Sequence, residues 1–199
     1  MFNDRYGLTD AVIEGRKIMT RRLADPKQKY QGFKWWQPCL ELGFGLYGLI
    51  EDDDWELIEP RYHLGEVVAV AQSYNEATRE FPHMATTLVG HDILGSEPGC
   101  TNKMFVRADL MPHQIRITGI KCEQLQSISD DDCFREGIIE SWYESTDTTT
   151  YGFADEKKAT AVEFDTPREA FASLIDRVSG KGTWASNPWV VAYEFELVK

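Results

Sequence analysis

The C-terminal stretch NPWVVAYEFELVK, residues 187–199, constrains the fold more than any other segment. Trp189, Val191, Tyr193, Phe195 and Leu197 alternate with a more polar set, the period of a strand with one buried face. A strand this long predicts the core of an antiparallel sheet or barrel. Just before it, DTPREAFASLIDRVSGKG carries a helix marked at both ends: Thr166 as N-cap, Pro167 at the first helical position, Glu169 closing a capping box and Gly180 as the stop. Ala170, Phe171, Leu174, Ile175 and Val178 fall on one face of that helix.

Other elements are shorter. In KMFVRADLMPHQIRITGIKCEQL a pair of strands is expected, with 114–125 the clearer, and GEVVAVAQSY (65–74) reads as a short valine-rich strand. LTDAVIEG predicts a short helix capped by Thr9, with Asp10 in its first turn, Leu8 and Ile13 as a hydrophobic staple, and Gly15 at its end. SISDDDCFREGI predicts a two-turn helix with Ser129 as N-cap, Asp132 at N3, Glu136 on its last residue and Gly137 as the stop. Three segments read as insertions: about 31–62, turn-rich and aromatic and then acidic, as a long loop or hairpin; 75–101, without clear periodicity; and 140–164, polar and threonine-rich. No βαβ alternation is present, so the expected class is α+β, one domain over residues 1–199. With 42% hydrophobic and 12% aromatic residues in 199, the chain can bury a sizeable core, and disorder is excluded.

The N-terminus lacks the basic start, apolar stretch and small-residue cleavage site of a signal peptide, and no apolar run approaches the roughly 18 residues of a membrane span. A cytoplasmic protein without a membrane partner is expected. Cys39, Cys100, Cys122 and Cys133 form no CxxC pair, and His63, His83, His91 and His113 show no HxH or HExxH spacing, so neither a metal site nor another cofactor is expected.

Charge is distributed unevenly. Residues 1–40 hold eight Lys/Arg against four Asp/Glu, +4, while 41–199 hold 13 against 29, −16. Most of the surface therefore repels nucleic-acid phosphate, and a polyanion can meet this chain only near its basic start. There GRKIMTRR, residues 15–22, places Arg16, Lys17, Arg21 and Arg22 within seven positions.

Taken in order, several blocks resemble the ASCH domain, in the form common in phage and prophage proteins, a relative of the PUA RNA-binding fold. Ile13 to Arg22 resembles the family's ILEGRKTxTRR-like segment, Gly65 to Val70 its GDxLWVRE-like strand, Ile128 to Ile138 its ISEEDAxxEGI, and Ala170 to Glu196 its AFxxLxDxxxGKGxWxxNPWVxxxEFE tail. These blocks cover roughly half of the chain. One departure stands out: where the family strand usually continues with Arg-Glu, this chain has Ala71-Gln72, leaving a phosphate or substrate contact without its usual residues.

The resemblance implies a PUA-like β-barrel flanked by short helices, with a cleft between the GRK segment and the EEDAxxEG-like helix. It implies binding of RNA or a modified nucleoside and, in some small members, amidohydrolase removal of the acetyl group of N4-acetylcytidine; ribonuclease activity is a further suggestion. The family's catalytic lysine, threonine and glutamate fall on Lys17, Thr20 and Glu136, with Arg16, Arg21, Arg22 and Arg107 as ligand-binding candidates. The chemistry is coherent. A desolvated, cation-crowded lysine can serve as a base, a threonine hydroxyl can attack an amide carbonyl, and a carboxyl can shuttle protons.

Against this stand plainer readings: a solvated basic turn paired with the acidic remainder, an exposed helix-end Glu136, and an ordinary strand threonine at Thr20. Strict strand alternation would also place Lys17 and Thr20 on opposite faces, unless a bulge or turn intervenes. Trp35 and Trp36 beside Lys34, and Trp184 beside Lys181, could stack bases, although packing is the weightier expectation. A third class of function is a non-catalytic phage or prophage accessory protein that binds a protein partner through its insertions.

Overall fold

The computed structural model describes residues 2–24, 38–42, 46–51, 54–58, 60–93, 95–156 and 162–198. A short helix α1 (Leu8–Ile13) leads into strand β1 (Met19–Leu23), followed by the meander β2 (Pro38–Leu42), β3 (Leu46–Glu51) and β4 (Asp54–Ile58). Strand β5 (Val67–Ala69), helices α2 (Tyr74–Glu80) and α3 (Met84–Gly90), and the long strand β6 (Gln114–Gln124) come next. Helix α4 (Asp130–Arg135) precedes β7 (Ile139–Tyr143), β8 (Thr148–Phe153) and β9 (Val162–Phe164), and α5 (Pro167–Ser179), α6 (Thr183–Ser186) and β10 (Trp189–Leu197) close the chain.

The architecture is α+β, built on a curled, half-barrel antiparallel sheet with a few short helices. Its strand order is β1-β10-β6-β5, so the C-terminal strand lies inside the sheet, as its alternation requires. Val191, Tyr193 and Phe195 are buried on one side with Val12, Val70, Ile115 and Ile117. The register shifts between Glu194 and Phe195, which pair with Gly119 and Ile117 and leave Thr118 as an extra residue on β6, the place where a bulge bends its strand. Helix α5 buries Ala170, Phe171, Leu174 and Ile175 against Leu125, Ile128, Val190 and Phe153, joining the half-barrel to the β7–β8–β9 sheet. Thr166 caps α5 by accepting from the Glu169 amide at 3.2 Å.

Several local expectations are corrected. The N-cap of α1 is Gly7, at φ +63°, rather than Thr9. The Thr9 hydroxyl is buried inside the helix and donates to Asp4 at 2.7 Å, so it is not available as a cap. The first half of 103–125 is not a strand: it forms turns and a 3-10 helix at Ala108–Leu110, and only β6 is extended. The valine-rich strand is confined to Val67–Ala69, because Ser73 caps α2 in a reciprocal box with Glu76. The segment 75–101 thus contains helices, and 140–164 forms a three-stranded sheet. Among the described residues, no helix is long and apolar enough to cross a membrane.

Candidate functional site

Lys17 and Ile18 precede β1 and are held by neighbours rather than by strand pairing. The Lys17 amide donates to Ala11 O at 2.8 Å and the Ile18 amide to Arg135 O at 2.9 Å, while Ile18 O accepts from the Phe195 amide at 2.9 Å. This irregular entry frees Lys17 from strand alternation and lets its side chain turn toward the end of α4. Helix α4 starts at Ser129, whose hydroxyl accepts from the Asp132 amide at 3.1 Å, and ends where Gly137 adopts φ +104°. A left-handed turn there favours glycine, and it brings Glu136 back over Lys17. The two side chains are only 5% and 2% exposed, and Lys17 Nζ donates to Glu136 Oε2 at 2.6 Å and to its backbone carbonyl at 2.7 Å.

Glu136 is shared. Its Oε1 accepts from Arg21 Nη1 at 3.1 Å, and the other Arg21 nitrogens reach Asp132 Oδ2 and Glu123 Oε1, each at 2.7 Å from Nη2, with Nε also 2.8 Å from Glu123. Lys121 and Arg135 extend the network. Lys121 lies 3.0 Å from Asp132 and 3.2 Å from Glu123, and Arg135 bridges Asp132 and Glu194 at 3.2 Å each. Among the described residues, the network therefore sets four cations, Lys17, Arg21, Lys121 and Arg135, against four carboxylates, Glu123, Asp132, Glu136 and Glu194.

Electrostatics differ along it. Burial holds the Lys17 ammonium below the ordinary lysine range; Glu136 opposes that shift, and Arg22 and Arg21 reinforce it. For Arg21 burial acts against the charge, but Glu136, Glu123 and Asp132 outweigh it and leave its pKa raised. Burial likewise works against the Asp132 carboxylate, and Lys121 and Arg21 overcome it, leaving its pKa lowered.

The remaining candidates are placed differently. Thr20 pairs with Tyr193 across the sheet and, half-buried, alternates away from Met19 and Arg21. No hydrogen bond links its hydroxyl to Lys17 or Glu136. Arg22 shares that face of β1, close enough to Lys17 and Tyr193 to act on the charge of both. Arg16 is exposed and pairs with Glu14 at 2.5 Å. Arg107 is also exposed; its guanidinium pairs with Asp109 at 2.6 Å and meets His91 at 3.3 Å. Gln72 donates to Glu80 at 3.3 Å, and His113 meets the other oxygen of that carboxylate at 2.8 Å. Trp184 packs edge-on against Phe171 at 6.1 Å, beneath the Arg168 guanidinium. Trp35 and Trp36 lie outside the described residues.

Sequence reasoning missed Glu123, Asp132, Lys121, Arg135 and Glu194 as parts of this network. Lys121 and Glu123 stand two apart on β6, opposite Ala192 and Val190, so strand periodicity puts both on the Arg21 face. That spacing was a readable signal. Asp132 occupies the N3 position of the α4 cap, but its carboxylate turns to Arg21, Lys121 and Arg135 instead. Among the described residues no cluster of His, Cys, Asp and Glu is arranged to hold a metal ion. No protein-family model, curated protein or solved structure matches this chain.

Proposed function

We propose that the chain is an ASCH-type protein of the PUA-like superfamily that takes a small modified nucleoside at the Lys17–Glu136 pair and hydrolyses an acyl amide of the N4-acetylcytidine kind. The resemblance of the GRK segment, the α4 segment and the C-terminal tail supports the family, and a curled antiparallel half-barrel is compatible with it. The observation that carries the choice of ligand is charge balance. Among the described residues, the ion-paired cations Lys17, Arg21, Lys121 and Arg135 are matched by the carboxylates Glu123, Asp132, Glu136 and Glu194, so these paired groups offer no surplus positive charge of their own to a phosphate chain. An uncharged nucleoside faces no such deficit.

Lys17 supplies the proton chemistry. In the buried pair its proton passes to Glu136, and the neutral amine then accepts the proton of the attacking hydroxyl. That oxygen bonds to the acyl carbon; as the carbon–nitrogen bond breaks, the new ammonium at Lys17 returns the proton to the departing amine. The half-buried Phe2 ring, its centre 6.0 Å from Lys17 Nζ, covers that ammonium. The attacking hydroxyl belongs either to water, which gives the free acid in one displacement, or to Thr20. In the second case the acyl ester on Thr20 is then hydrolysed by a water that gives its proton to Lys17, and the threonine oxygen leaves and is reprotonated by the same ammonium. Mutation separates the two.

The test is loss of N4-acetylcytidine followed by absorbance. Lys17→Ala and Glu136→Ala should each lose about 10²- to 10⁴-fold in rate and combine non-additively. Thr20→Ala should lose as much if Thr20 attacks, and little if water does. A wild-type protein that leaves the acyl amide intact refutes the hydrolase reading.

RNA binding is a second reading, favoured by exposed Arg16 and half-buried Arg22 on the positive N-terminal part. It predicts that affinity for a short RNA falls steeply with salt, with the slope reduced by roughly one for each phosphate contact removed by Arg16→Ala or Arg22→Ala.

A further inference from the structure

The Lys17–Glu136 pair would form without Arg21, since the two groups already meet at 2.6 Å. Yet the Arg21 side chain, 0% exposed, is carried into the same enclosed region and held by three carboxylates from three places: Glu123 on β6, Asp132 on α4 and Glu136 after α4. Its Nη1 also lies 3.2 Å from Met19 Sδ. A buried guanidinium is costly unless its planar fork is matched on several sides. Here Glu123 and Asp132 fix the plane of that fork before it reaches Glu136.

We propose that Arg21 is the positioning residue of this site: resting on the nucleoside-hydrolase reading above, it grips Glu136 by Oε1, directs Oε2 to Lys17 Nζ, and takes a share of the carboxylate charge that Lys17 would otherwise hold alone. The groups facing Lys17 are Glu136 from the end of α4, Arg21 and Arg22 from β1, and the Phe2 ring from the N-terminal segment. Glu136 favours the ammonium, while burial and both arginines disfavour it. Replacing Arg21 by a neutral residue removes a like charge and leaves the Glu136 charge wholly to Lys17. Both changes stabilise the protonated amine, so the lysine becomes a poorer base at neutral pH.

The experiment follows the Lys17 ammonium by ¹⁵N NMR in the intact chain, its signal assigned by its loss in Lys17→Arg. In Arg21→Met the titration midpoint should rise by about one pH unit or more, the scale expected for a charge within hydrogen-bonding range. Each carboxylate keeps a second cation in this variant: Lys17 for Glu136, and Lys121 for Glu123 and Asp132. Arg21→Gln, which retains an amide donor, repeats the test if Arg21→Met does not fold. Arg21→Lys should return the midpoint toward wild type, because the charge is kept, while lowering kcat for acyl-amide hydrolysis about tenfold or more with KM little changed, because the fork is lost. A midpoint that is unmoved or lower in the neutral variants overturns the proposal, whether or not the protein hydrolyses anything. A raised midpoint in a chain without hydrolase activity upholds Arg21 as the positioning residue and retires the hydrolase reading alone.

Discussion

Replacing Glu136 by Gln removes one charge from the enclosed pair and leaves its volume nearly unchanged. Lys17 keeps the backbone carbonyl of residue 136 at 2.7 Å, and Arg21 keeps Glu123 and Asp132, so the principal change is an ammonium without its carboxylate. Removing one partner of a buried ion pair costs about 3–5 kcal/mol, and the surviving carbonyl bond places this case near about 3 kcal/mol at neutral pH. For a chain of 199 residues, at about 2–4 °C per kcal/mol, Tm should fall by about 6–12 °C.

The pH dependence gives a second check. The Lys17 pKa in the folded state lies below its ordinary value, so between the folded and unfolded values the unfolded chain binds more protons and stability rises with pH. Glu136 holds the folded value up; without it that value drops, and the added cost is greatest below the new folded value. The deficit should then shrink as pH rises toward the folded value of the wild type. Urea unfolding at several pH values between 6 and about 9.5, with equal m-values, measures this. A Glu136→Gln protein within about 0.5 kcal/mol of wild type at pH 7, or a deficit that grows with pH, would show that Glu136 does not carry the charge of the buried Lys17 ammonium.

Phe2→Ala should expose Lys17 to water and move its titration back toward the ordinary lysine range, since burial is the largest cause of its lowering; ¹⁵N NMR reads the midpoint, which should rise. Leu174→Ala on the buried face of α5 should cost about 2–5 kcal/mol in urea unfolding, with the Ser129 cap and the ion network left intact. Burial pushes the Cys122 thiol up to about 11 and that of Cys133 up to about 12. Peptide mapping after iodoacetamide at pH 8 should therefore find both unmodified in the native protein and labelled in urea.

The legible parts of the fold carried their own reasons. Alternation in 187–199, and the Thr166–Pro167–Glu169 start with the Gly180 stop, are local signals, and the corresponding strand and helix formed. Other segments were misread because a local signal was overlooked or overruled. Ser73-Tyr74-Asn75-Glu76 is itself a capping box, hidden by the valine-rich run before it, and the threonines of 148–150, polar in composition, are β-branched residues that favour the strand they form. At Thr9 a tertiary contact with Asp4 overrode the local cap. In the candidate site, motif order alone suggested Lys17, Thr20 and Glu136. The junction of Arg21 with Glu123, which lie 102 residues apart in the chain, could not be read from local periodicity, because it depends on β1 and β6 flanking β10 in one sheet.

The proposed function requires that an acylated nucleoside reach the Lys17–Glu136 pair. The most direct measurement is a titration of catalytically disabled Lys17→Arg and of wild-type protein with N4-acetylcytidine, read by NMR at every assigned residue, with short RNA as the parallel ligand. Saturable shifts centred on residues 17–22, Glu136 and Phe2, unchanged between low and high salt, are expected, together with hydrolysis by the wild type alone. Shifts confined to other surfaces, or none for the nucleoside at millimolar concentration, would contradict it.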